Sequence, residues 1–188
     1  FREALELRRR SLPANDYRIA ETQLRLSGLL TGMGRYGEAK DGLLQALEIL
    51  ESGNAEPVQV ASATNRLGHV HWILGELEEA EPYFRRTLSE RQEYLDPHHP
   101  LMGESLNNLA VLLDDLGRKD EAEVMYRAAL LAVEASFGET SDHVSPILGN
   151  LALILSDRGD TLEADSLFRR ALAIDESQLG PDHPYVAF

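Results

Sequence analysis

The 188-residue sequence has no cysteine, so disulfides and thiolate metal sites are excluded and the redox compartment is left open. It has no apolar run approaching the roughly 18 residues that a membrane-spanning helix needs, which argues against membrane insertion. Lysine is scarce: two residues, against sixteen arginines, the usage of a GC-rich genome and a pointer to a bacterial source. Positive charge is also in short supply, with a net charge of −14. Only residues 1–25 run against that trend, with six arginines and four acids. A surface this acidic would repel phosphate, so nucleic acid is not an expected partner. No signal-peptide pattern opens the chain, and a cytoplasmic location is the expectation.

What the sequence does contain is a repeat. Glycine recurs at Gly34, Gly75, Gly117 and Gly159, at intervals of 41, 42 and 42 residues. A Glu-Ala pair follows each glycine, ending at Ala39, Ala80, Ala122 and Ala164. Four residues further on stands a large apolar side chain: Leu43, Phe84, Tyr126 and Phe168. Phe1 lies 42 residues before Leu43, so an earlier copy is cut by the start of the chain. A fixed period in this range marks a stacked array in which each unit packs on its neighbours.

Within each period the apolar residues fall on helical stripes. Leu26, Leu29, Leu30 and Met33 stand at i, i+3, i+4 and i+7. The pattern predicts helices over about 16–33, 37–51, 58–74, 78–95, 100–116, 119–136, 143–158 and 161–178, after a partial one over 1–12. Pro82 and Pro146 are read as markers of helix starts, and Pro100 and Pro184 fit first helical positions. The copies are 16–52, 57–95, 100–137 and 142–179, with 183–188 opening a further one. An array that starts and stops in mid-repeat is expected to be a fragment of a longer protein, with ends able to pair with another copy. The first copy carries Gly28, Gly32 and Gly42 inside helices, at about 1 kcal/mol each relative to alanine, and is expected to be the least rigid.

Two chemical readings can be set aside. Gly32-Met33-Gly34-Arg35-Tyr36-Gly37 matches the G-x-G-x-x-G string, but a dinucleotide site needs a preceding strand, and here a helix precedes it. His69 and His71, at i and i+2, face different sides of a helix, whereas a helical metal pair needs i, i+4. His98, His99, His143 and His183 stand in loops near prolines or caps. With no recurring arrangement of nucleophile and base, neither catalysis nor a cofactor nor a metal is expected.

These residues resemble the tetratricopeptide repeat in its 42-residue form, as found in kinesin light chains and many bacterial arrays. The matching slots are the large first-helix residue (Leu26, Leu67, Leu109, Leu151), the small residue after it (Ser27, Gly68, Ala110, Ala152), the turn glycines, the Glu-Ala alanines, the aromatic slot and a second small slot (Ala46, Thr87, Ala129, Ala171). Leu106-Asn107-Asn108-Leu109-Ala110 is close to the family's wording. The resemblance implies an all-α, right-handed superhelix of antiparallel helix pairs. It also implies a protein or peptide bound in the concave groove lined by the first helices. The residues that would line that groove include Arg25, Asn65, Arg66, His69, Trp72, Asn107, Asn108, Val111, Asp114 and Asn150. The asparagines could present donors and acceptors to a peptide backbone, or Asn108 and Asn150 could instead bond neighbouring repeats. The groove is basic at Arg25 and Arg66 and acidic at Asp114 and Asp157, which suits a partner of mixed or basic charge and not a carboxylate clamp. By the same resemblance the chain would be the recognition region of a larger bacterial regulator such as a kinase, ATPase or transcription regulator, or a self-associating spacer within one.

Overall fold

Four copies of one helix ending set the architecture. At Gly34, Gly75, Gly117 and Gly159 the backbone turns into the left-handed region, with φ of 73°, 75°, 74° and 94°. The residue after each glycine donates its N–H to the carbonyl five residues back, as in Arg35→Leu30 (2.8 Å), Glu76→His71 (3.0 Å), Arg118→Leu113 (2.8 Å) and Asp160→Leu155 (2.9 Å). This is the 6→1 bond of a Schellman ending, which satisfies the last carbonyls and reverses the chain. A side chain at that φ costs roughly 1–2 kcal/mol, so glycine is the residue that fits.

The computed structural model describes residues 1–53 and 55–180. The proposed opening of a further repeat at 183–188, with His183 and Pro184, lies outside them. The described residues form α1 (Arg2–Ser11), α2 (Tyr17–Gly32), α3 (Tyr36–Ser52), α4 (Pro57–Ile73), α5 (Leu77–Tyr94), α6 (Pro100–Asp115), α7 (Lys119–Phe137), α8 (Ser145–Arg158) and α9 (Thr161–Leu179), and no strand. They divide into two compact units, with the boundary between Tyr94 and Leu95. The first holds α1 and the pairs α2–α3 and α4–α5. The second holds the pairs α6–α7 and α8–α9.

Caps account for several helix starts. The Asp16 carboxylate accepts the Arg18 N–H at 3.0 Å. His99 Nδ1 accepts the Leu101 N–H at 3.1 Å, so this loop histidine is a cap. Pro57, Pro100 and Pro146 occupy first turns, where a missing N–H costs little. Pro82 departs from expectation. It lies inside α5, not at its start, and the helix continues through it; both Glu78, whose carbonyl loses its helical donor, and Pro82 are exposed to solvent. Likewise α8 begins at Ser145, two residues later than the spacing predicts, and His143 in the preceding loop packs on the Phe137 ring at 4.4 Å.

The small slots lie where helices touch. Ala39, Ala80 and Ala122 are completely buried. A Cβ at Gly68 would stand 2.8 Å from the Phe84 ring. Gly42, which sequence reasoning treats as a weak point, is also a contact: a Cβ there would meet Ser27 Oγ at 2.5 Å. The large slots fill the space between pairs, with Leu43, Phe84 and Tyr126 all buried. One core position breaks the pattern. Leu30, Leu113 and Leu155 are buried leucines, but the same slot in the second copy holds His71. Its ring stacks on Tyr83 at 5.1 Å, and its Nδ1 is 2.7 Å from Glu76 Oε2. Glu76 in turn takes Lys40 Nζ at 2.8 Å, which holds its carboxyl below the usual range.

Ion pairs stitch second helices of successive copies inside each unit. Arg2–Glu38 (3.2 Å) joins α1 to α3, and Glu51–Arg86 (2.6 Å) joins α3 to α5. In the second unit Arg127–Glu163 (2.8 Å) and Glu134–Arg170 (2.5 Å) join α7 to α9. The partners are 35 or 36 residues apart, close to one period, so the arginine surplus over lysine serves as a repeated fork-to-carboxylate link.

Candidate functional site: the first-helix face

In the first unit, the residues expected to line a groove are mostly engaged with the fold. Arg25 is exposed and paired with Glu21 at 2.9 Å. Arg66 reaches across to the preceding first helix and donates Nη1 to the Leu24 carbonyl at 3.1 Å. Asn65 is buried and has a bonding partner. His69 meets the Phe84 ring edge-on at 5.3 Å and the Trp72 ring at 6.2 Å. Trp72 is half-buried. A cleft of ≈ 390 Å³ in this unit lies among α1, α2 and α3. Its polar walls are already joined, with Arg9 Nη2 donating to Gln45 Oε1 at 2.7 Å and Gln23 Nε2 donating to the same oxygen at 3.2 Å.

In the second unit the asparagines separate into two roles. Asn150 lies close enough to the Tyr126 hydroxyl, whose ring fills the aromatic slot of the preceding copy, to draw its pKa down. Burial, reinforced by Asp114 and Asp115, outweighs that pull and pushes the Tyr126 phenol well above its ordinary pKa, so it stays neutral. Asn150 therefore faces the preceding copy. Asn108 has a partner as well. Asn107 differs: its Oδ1 is buried and has no hydrogen-bond donor. Val111 and Asp114 are half-buried beside it on the same helical stripe. Burial, with repulsion from Asp115 and Asp157, lifts the Asp114 carboxyl above the usual range against the pull of Lys119. Lys119 is itself tied to Asp157.

Sequence reasoning missed where this face opens. A cleft of ≈ 370 Å³ lies between α6 and the start of α8, with the last turns of α7 as its floor. Asn107 lines it, together with Glu104, one helical turn earlier, and Asp142 and Pro146 across from them. Glu104 and Asn107, at i and i+3, are a visible stripe in the sequence. That Asp142 and Pro146 oppose them follows only from stacking one copy on the next.

No group of three or more histidine, aspartate or glutamate side chains among the described residues is placed to hold a metal ion. None of the described helices is long and apolar enough to cross a membrane.

No curated protein matches the sequence. Solved structures resemble the fold closely. BtubC (BKLC) from P. vanneervenii superposes with a TM-score of 0.79 at 22% identity, over 93% of this chain and 69% of that one. A Podosopora anserina kinesin light chain with nearly identical TPR-like repeats gives 0.79 at 17% identity, over 95% and 85%. The apo form of RapI gives 0.76 at 20% identity, over 84% and 56%. Two family models, each described as tetratricopeptide repeat, match residues 59–135 and 147–185, more than half of the sequence between them. With the repeated slots, the Schellman turns and the helix pairs, these matches show that the chain belongs to the tetratricopeptide repeat family.

Proposed function

We propose that this chain recognises a protein or peptide segment along the face formed by its first helices and performs no chemistry of its own. Repeats of this family generally mediate protein–protein interaction and are typically non-catalytic. The observation that carries the reading is Asn107. A buried acceptor with no donor is costly, roughly 1–3 kcal/mol, and a backbone N–H of a bound segment would supply what it lacks. Capture from a lysate of the source organism tests it, comparing the parent with two variants of confirmed fold. Asn107→Ala with Glu104→Arg alters the first-helix face. Val124→Ser with Leu131→Ser alters the outward side of α7, where these two side chains are 59% and 65% exposed. The proposal predicts loss of partners with the first variant and retention with the second. The opposite pattern contradicts it.

A further inference from the structure

We infer that the cleft between α6 and α8 is a docking pocket for a segment of another protein that sets an apolar side chain beside lysine or arginine. This rests on the first-helix face being the recognition surface, and it assigns a chemistry to the occupant. The floor is apolar, built from Leu101, Val133, Phe137 and Ile147. Its ≈ 370 Å³ is within the ordinary size of ligand pockets and would accept one large apolar side chain with its flanking backbone. The rim is anionic: Glu104 and Asp142 are both exposed, and no lysine or arginine is among the described lining residues. His143 completes the rim, its ring on Phe137 and its Nδ1 4.0 Å from Asp142. The wider field has the same sign. Residues 95–188 hold seventeen acids against six arginines and lysines, or −11 of the chain's −14. Asn107 lines the cleft, and its Oδ1, buried and without a donor, gains a backbone N–H of the segment when the amide turns outward.

Apolar burial would supply affinity, and the carboxylates would select against acidic neighbours. A phosphate-bearing or acidic segment would meet repulsion from both sides of the rim.

The full chain, labelled with nitrogen-15, would be titrated with three synthetic peptides: acetyl-Gly-Lys-Leu-Arg-Gly-amide, the same peptide with glutamate at both basic positions, and the same peptide with serine for leucine. The expected result is that the first peptide moves the amide signals of Glu104, Asn107 and Ile147 and binds at least about ten-fold more tightly than the other two. A Glu104→Lys, Asp142→Lys variant, with unchanged circular dichroism, is expected to lose at least about ten-fold in affinity for it. Equal binding of the three peptides, no binding of any, or no loss in the variant overturns the pocket. Shifts confined to Trp72 and its neighbours overturn the pocket but leave the first-helix face standing. Shifts confined to the outward side of α7, around Val124 and Leu131, overturn both. If the Glu104 and Asn107 signals move with protein concentration alone, a second copy is the occupant and the assignment to another protein fails.

Discussion

Two asparagines from different slots of the repeat, Asn107 and Asn150, differ in what surrounds their amides. Asn150 lies beside the hydroxyl of the buried Tyr126, so Asn150→Ala removes that polar neighbour and should cost about 1–3 kcal/mol in urea unfolding. Asn107→Ala removes a buried acceptor that lacks a donor, and with it a desolvation penalty of about 1–3 kcal/mol, so it should leave stability undiminished or raise it. Equal losses would mean that the two roles are wrongly divided. Asp114 gives a pH signature. Its folded-state pKa is raised, chiefly by burial, so ionisation favours the unfolded chain: the penalty is present at neutral pH and disappears below the ordinary aspartate value of 3.8. Asp114→Asn should therefore raise the melting temperature at pH 7, with the gain shrinking as pH falls toward 3.8 and absent below it. Both asparagines were visible in the sequence as candidates for either role. That Asn150 stands beside the tyrosine 24 residues earlier follows only once one copy is stacked on another.

Helices and turns were the most legible layer, because glycine spacing and apolar stripes are local properties. The turn glycines, the alanine slots and the large slots all fall where the period puts them. The exceptions are local too. Pro82 is tolerated within α5 on an exposed side of the helix, and His143, in the loop before α8, packs on Phe137. His71 was illegible as a core residue because it replaces leucine, and its acceptance depends on Glu76 and Lys40 from the turn and the preceding second helix. Close approach between helices gives a direct test. Gly68→Ala would set a methyl group 2.8 Å from the Phe84 ring and should destabilise by about 1–3 kcal/mol, measured by chemical denaturation. An unchanged midpoint would show that the ring shifts freely.

Across the array, stability should follow the quality of each interior. In the first copy Gln23, Ser27 and Gln45 occupy the region between helices, where the third and fourth copies place Leu106 and Leu148 in the Gln23 slot and alanines in the Ser27 slot. Less apolar burial there predicts faster native-state amide exchange in α2 and α3 than in α6 and α7. Uniform protection would contradict it. The fold class could be read from the sequence because every copy repeats the same information. The proposed partner-facing surface could not, because it draws on positions that differ between copies: Arg66 bonded inward, Asn107 with a buried acceptor that lacks a donor, Asp142 brought opposite Glu104. The central claim is that the first-helix face does the recognising. Its most direct test is a photo-crosslinking amino acid placed at Val111 on that face or at Val124 on the outward side of α7, in otherwise identical full chains exposed to lysate. The account predicts discrete crosslinked partners from position 111 and none from position 124. Crosslinks from position 124 alone would contradict it.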